Sequence, residues 1–223
     1  MAKNAKWSDD YWLPLMQIYL QKPVGVKPMY SRRMVDLSLE LHLAPHLLFN
    51  RMCQLANLET PRIEYIWETY GNNPRKLERA VRLWREMRGY GNADDFYEGV
   101  AMNETFERDF RPLYAGTTLM PVTLILILDL YFRLTPITMV AETPEVQELA
   151  RLTKQSPSQV AEVMQVMQYC DPYLNRKNAI DSPLLEPCRA VWRRFGNGDT
   201  ELLASHAKEL KEYFITEDKR QEK

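Results

Sequence analysis

Residues 148–163 read ELARLTKQSPSQVAEV, and this stretch decides the fold class. Ser156 followed by Pro157 is a helix start signal, because a serine side chain caps a first turn and proline fits its first position. Val160 and Val163 lie three positions apart, which places both on one face of the helix that follows. The stretch therefore predicts two helices joined by a short polar turn, with the second helix facing the core through its valines.

This predicted helix pair resembles the helix-turn-helix superfamily at the level of the motif, and no named family across the whole chain. A small residue on the first helix, Ala150, lets the second helix cross it closely. A weaker copy precedes it in the chain, with Ser38 at the small position and Arg51 in place of Val163. The resemblance implies DNA binding, with the second helix of a pair laid in a major groove.

The chain also matches itself. At a shift of 112 positions, residues 13–55 meet apolar or helix-capping partners in order, and a shift of 125 continues the matches beyond an inserted loop. We read these matches as a duplication and predict two homologous repeats of roughly five helices, at 8–89 and 119–215, with helix-turn-helix-like segments at 34–55 and 146–167. The matched pairs include Leu13 with Ile125, Tyr19 with Tyr131, Pro45 with Pro157, Met52 with Met164, Trp67 with Trp192 and Asn72 with Asn197.

Helix start signals recur along both repeats, and apolar residues follow them at helical spacing, so the sequence predicts an all-α protein. Between the repeats, residues 90–118 are acidic and rich in aromatic residues, which predicts a structured connector and not a flexible tether. Residues 216–223 form a charged tail that is expected to fray.

The composition excludes several classes of protein. With 45% hydrophobic and 26% charged residues, the chain is neither disordered nor collagen-like, and its net charge of −1 excludes binding to nucleic acid by bulk attraction. The longest apolar run is too short and too interrupted to span a bilayer, so no membrane partner is expected. Three cysteines without a CxxC pair, and no signal peptide, favour the reducing cytoplasm.

Motifs of catalysis and cofactor binding are missing from the sequence. It contains no phosphate-binding glycine loop, no GxSxG elbow and no HExxH, and its three histidines have no metal-ligand spacing with Cys53. We therefore expect a non-enzymatic protein with no cofactor and no bound metal.

The overall neutrality hides a basic first repeat. Residues 1–88 hold 14 Lys and Arg against 9 Asp and Glu, a net of +5, whereas 89–140 carry −4 and 141–223 carry −2. Four arginines share one face of the last helix of this repeat, a spacing suited to gripping phosphates, and two more stand at the start of its second helix. These candidate phosphate contacts are Arg75, Arg79, Arg82, Arg85, Arg32 and Arg33.

The exposed start of the third helix in each repeat supplies candidate base contacts. Asn and Gln pair with adenine, and Arg pairs with guanine, through two hydrogen bonds each. The second repeat makes the weaker case, since its third helix has no Lys or Arg. The candidates are His46, Asn50, Arg51 and Gln54 in the first repeat, and Ser158, Gln159, Glu162 and Gln165 in the second.

Two functions stay open on this basis. One is a DNA-binding or transcription-regulatory protein whose first repeat contacts phosphates, while the second serves packing, partner binding or self-association. The other is a helical scaffold that binds proteins and no nucleic acid, which exposed apolar residues such as Leu47 and Phe49 would favour. The arginines also have a plain interpretation as a solvated face, because Glu78 and Glu86 lie on the same side and can pair with Arg82.

Overall fold

The computed structural model describes residues 7–88, 105–174, 176 and 180–221. Regular structure within these residues is entirely helical and none of them lies in a β-strand, so the predicted all-α class is confirmed. The chain divides into two compact units, Met1–Asn103 and Glu104–Lys223. The division falls inside the segment 90–118 that the sequence predicts as a connector.

The described part of unit one contains five α-helices: α1 Trp12–Tyr19, α2 Arg32–Leu41, α3 Pro45–Ala56, α4 Pro61–Tyr70 and α5 Pro74–Arg88. A 3-10 turn leads directly into α1. Helices α3, α4 and α5 begin with proline, whose missing N–H costs nothing at a first position. Thr60 and Asn73 cap α4 and α5, since their side-chain oxygens accept hydrogen bonds from the backbone N–H of Ile63 and Lys76.

Helix α1 is the centre of unit one. It packs against α2, α3, α4 and α5, and its Leu15 and Met16 are fully buried. Met34 of α2, with Leu48 and Met52 of α3, is buried as deeply and completes the core. The outer helices therefore bury one stripe each against α1 and leave their opposite faces to solvent.

Unit two has six α-helices among its described residues: α6 Thr105–Asp109, α7 Pro121–Arg133, α8 Pro144–Thr153, α9 Pro157–Met167, α10 Leu185–Val191 and α11 Thr200–Gln221. Its centre is α7, which packs against the other five and is buried at every position from Val122 to Tyr131. A helix surrounded on all sides needs apolar residues all round, and this explains the longest apolar run of the sequence.

The described end of the predicted connector, residues 105–118, belongs to unit two. Asp109 accepts two hydrogen bonds from Arg194, at 2.6 and 2.7 Å. Phe110 packs on Tyr213, with ring centroids 4.9 Å apart. Both Asp109 and Phe110 are buried, so the acidic and aromatic residues here serve an ion pair and a core. Residues 90–104 include 90–103 of unit one and lie outside the described part of the chain. The backbone of α11 continues to Gln221, so the predicted tail is helical over 216–221.

A tryptophan in each unit lies against a glycine four residues later. In unit two, Trp192 is buried, and a Cβ atom on Gly196 would come within 2.7 Å of its indole ring. In unit one, a Cβ atom on Gly71 would come within 2.6 Å of the carbonyl oxygen of Trp67. Side-chain atoms do not approach this closely, so both positions require glycine.

We expect Gly196→Ala to lower the free energy of unfolding by about 1–3 kcal/mol, because the added methyl group overpacks a buried indole. Gly198→Ala is the control, since its Cβ atom would lie 3.7 Å from its nearest neighbour, an ordinary contact. Urea unfolding monitored by tryptophan fluorescence measures both. Equal midpoints for the two variants would show that the indole moves aside at no cost.

Candidate nucleic-acid interface

The helix pair of unit one is closed by a three-residue turn between α2 and α3. His42 adopts the left-handed conformation, with φ at 53°. The N–H of Leu43 then donates to the carbonyl of Ser38 at 3.1 Å, and the Ser38 hydroxyl donates to the carbonyl of Leu43 at 2.5 Å. Ser38 is fully buried, so the small position of the motif also satisfies a buried backbone oxygen of the turn.

The helix pair of unit two has a turn of the same length between α8 and α9. Lys154 has φ at 55°, and the N–H of Gln155 donates to the carbonyl of Ala150 at 2.9 Å. Helix α9 opens with a capping box, in which Ser156 and Gln159 each accept from the other's backbone N–H. The side chain of Gln159, a candidate base contact, is therefore engaged in capping its own helix.

The exposed side of α3 differs from that of α9 in charge and in what is engaged. His46, Leu47 and Asn50 are exposed in the first turns of α3. The candidates of α9 are exposed as well, but they add only the negative charge of Glu162 to Ser158. Unit one therefore presents the better surface for a polyanion.

Arg51 of α3 lies over two tryptophans. Its guanidinium is 5.0 Å from the ring centroid of Trp7 and 5.9 Å from that of Trp12. Its Nη1 donates to Oε1 of Gln54 at 2.8 Å. Arg51 thus covers indole surface at the position where unit two has the buried Val163, and this cation–π contact explains how an arginine fills a core-facing position.

Three arginines of α5 form an exposed row, named here the arginine face: Arg75, Arg79 and Arg82. They lie opposite Leu77 and Val81, which are buried. Arg82 pairs with Glu86 at 3.7 Å, with both side chains more than half exposed, a contact of little energetic value. Within the described residues, the side chains of Arg75 and Arg79 form no hydrogen bond or ion pair.

The fourth arginine of α5, Arg85, is engaged differently. Its Nε and Nη2 donate to the two carboxylate oxygens of Glu40 at 2.7 and 2.9 Å. Glu40 is at the end of α2 and its side chain is only 18% exposed. The pair fixes α5 to the helix that precedes the turn, so Arg85 is a positioning residue for the surface and its donors are already committed.

A second basic group lies at the start of α2. Arg32 pairs with Asp36 at 3.3 Å. Arg33 is close to Lys27, whose ammonium donates to the carbonyl oxygens of Gln21 and Pro23. Burial lowers the pKa of Lys27, and the positive charge of Arg33 lowers it further. The fold thus brings two cations together.

Sequence reasoning missed three of these contributors: Lys27, Glu40 and Trp7. Lys27 is in the loop before α2, and Glu40 meets an arginine 45 positions away. Neither position carries a local signal, because each depends on how the helices pack. Helices α3 and α5 both pack on α1. The fold therefore assembles the candidate residues of unit one around one central helix.

Comparison of the chain with protein-family models, curated proteins and solved structures gave no match. Among the described residues, no group of three or more His, Cys, Asp or Glu side chains is arranged to hold a metal ion. No helix in the described part of the chain has the length and hydrophobicity to cross a bilayer.

A double-mutant cycle with Glu40→Gln and Arg85→Gln tests the positioning pair. We expect a coupling free energy of about 1–2 kcal/mol, because two hydrogen bonds join charged groups and the carboxylate is mostly buried. The matched control is a cycle with Arg82→Gln and Glu86→Gln, where we expect less than about 0.5 kcal/mol. Chemical denaturation measures both, and equal couplings would contradict the positioning role.

Proposed function

We propose that this protein is a non-enzymatic DNA-binding protein in which unit one contacts the phosphate backbone and α3 enters the major groove. The arginine face is the observation that carries the proposal. It spans about 10 Å at 1.5 Å per residue, or roughly three nucleotide steps of 3.4 Å. An exposed row of guanidinium groups of that length matches a row of phosphates on one strand.

A regulatory role follows from duplex binding without catalysis, as the motif resemblance implies. Phosphate contacts from α5 and α2 would set the register of the protein on the duplex, while α3 reads bases. We place this activity in the cytoplasm, as the cysteine pattern predicts. No cofactor is needed for binding of this kind.

We further propose that the two units arose by duplication. The two left-handed turn residues lie 112 positions apart in the chain and have φ angles of 53° and 55°. The rings of Tyr19 and Trp67 meet edge to face at 5.7 Å, and those of Tyr131 and Trp192 at 5.5 Å. Equivalent turns and equivalent aromatic pairs support common descent. After duplication, unit two would have kept its core while α9 lost the features of a DNA surface.

The test of DNA binding is a salt series with a labelled random duplex. We expect the wild type to bind, and Arg75→Glu/Arg79→Glu/Arg82→Glu to lose about 0.9 in the slope of log K against log salt for each phosphate contact. Fluorescence anisotropy at each salt concentration measures the slope.

A charge-matched triple variant of unit two controls for net charge: Arg151→Glu/Arg193→Glu/Lys208→Glu, all at exposed positions. We expect its slope to equal that of the wild type. A slope reduced equally in both variants would reduce the interaction to overall charge and remove the arginine face as a site.

Unit two also supports a second candidate function, a surface for protein binding or self-association. Ile137 is 88% exposed and Tyr173 is 94% exposed. Their loops are joined, because Tyr131 donates to Asp171 at 2.8 Å and Gln168 donates to the sulfur of Met139. Two large apolar side chains on adjoining loops are typical of an interaction surface.

Sedimentation equilibrium tests self-association through these loops. If they form a dimer interface, the wild type should exceed its monomer mass of 26.3 kDa, and Ile137→Ser/Tyr173→Ser should return toward it. Val24→Ser, which removes an exposed apolar side chain of unit one, is the control and should change nothing. A wild type that sediments as a monomer would exclude this interface.

A further inference from the structure

We infer that α3 is built to read A·T base pairs, with Asn50 pairing with adenine and Leu47 contacting a thymine methyl group. The inference rests on the proposed DNA-binding function and deepens it by naming the class of site that is bound. It follows from which side chains of α3 remain available to a ligand.

The outward side of α3 carries five side chains that fall into two groups. His46, Leu47 and Asn50, in the first turns, are exposed. Arg51 and Gln54, one turn further on, are half-buried and bonded to one another. The available group is at the start of the helix, which is the end that enters the groove in proteins of this motif.

The single arginine of α3 is withdrawn from guanine reading. A guanine contact uses two parallel N–H donors of a guanidinium that approaches the base edge. Nη1 of Arg51 donates to Gln54, and its plane lies over Trp7. The same bond occupies the amide oxygen of Gln54, so this glutamine lacks the free amide that a bidentate contact needs.

Asn50 is the side chain suited to adenine. Its amide oxygen can accept from the adenine amino group while its amide nitrogen donates to N7. Within the described part of the chain, no hydrogen bond is formed by the Asn50 side chain. The amide is therefore available in full for a base.

Leu47 complements this contact with an apolar one. It is 44% exposed on an otherwise polar surface, one turn before Asn50. The sequence grouped it with Phe49 as a sign of protein binding, but Phe49 is half-buried and packed against the core of unit one. One remaining aliphatic side chain fits the methyl group that distinguishes thymine in the major groove.

Selection from duplexes with a randomised centre, followed by single-atom changes, tests the inference. We expect enrichment of adjacent A·T pairs. In the enriched duplex, 7-deazaadenine removes N7 and should weaken wild-type binding roughly 5- to 150-fold. Deoxyuridine removes the thymine methyl group and should weaken it about 4-fold.

The matching variants localise each effect. Asn50→Ala should bind the adenine and 7-deazaadenine duplexes equally, and Leu47→Ala should not distinguish thymine from uracil. Asn57→Ala is the control, because Asn57 is exposed at the far end of α3 and bonded to Glu59. It should retain both discriminations.

The outcomes separate this inference from the proposed function. Enrichment of G·C pairs, or discriminations that persist in both Asn50→Ala and Leu47→Ala, overturns the inference. Salt-dependent binding of all duplexes alike overturns it as well and leaves the DNA-binding proposal standing. A wild type that binds no duplex even at low salt overturns both together.

Discussion

The functional surface of unit one depends on the closed turn after α2. His42 must adopt a left-handed conformation, and the chain must reverse within three residues against the fully buried Ser38. The serine hydroxyl and carbonyl each bond to Leu43, so the turn is held by its own hydrogen bonds. Because α3 starts directly after this turn, its inner face is fixed against α1 and its first turns are left to solvent. The exposed side chains there are a consequence of this constraint.

Local signals in the sequence predict the helices well. Proline at Pro45, Pro61 and Pro157 marks the observed helix starts, because the signal and the structure depend on the same few residues. Where capping alone decides, the prediction is less accurate: Ser182-Pro183 is expected to open a helix, but α10 begins at Leu185. There the Ser182 hydroxyl accepts from Leu184, so the serine forms a turn before the helix.

The candidate site was predictable only in part, for a physical reason. Periodicity places Arg75, Arg79 and Arg82 opposite a buried stripe, and they are exposed as predicted. It cannot show that Arg85 meets Glu40 or that Arg51 covers Trp7, since those contacts join segments distant in the chain. Long-range packing thus divides residues that look equivalent in sequence into available and engaged ones. The same division separates the two units, whose helix pairs share a turn and differ in their charges.

The central claim is that unit one, through α3 and α5, is the surface that binds duplex DNA. Titration of the isotope-labelled full chain with a random duplex, monitored by backbone amide chemical shifts, tests it most directly. The account predicts that the largest shifts cluster in the first turns of α3, around Asn50, and along α5, around Arg79, while α9 is unaffected. Shifts that concentrate on α9, or that spread evenly over basic residues of both units, would contradict it.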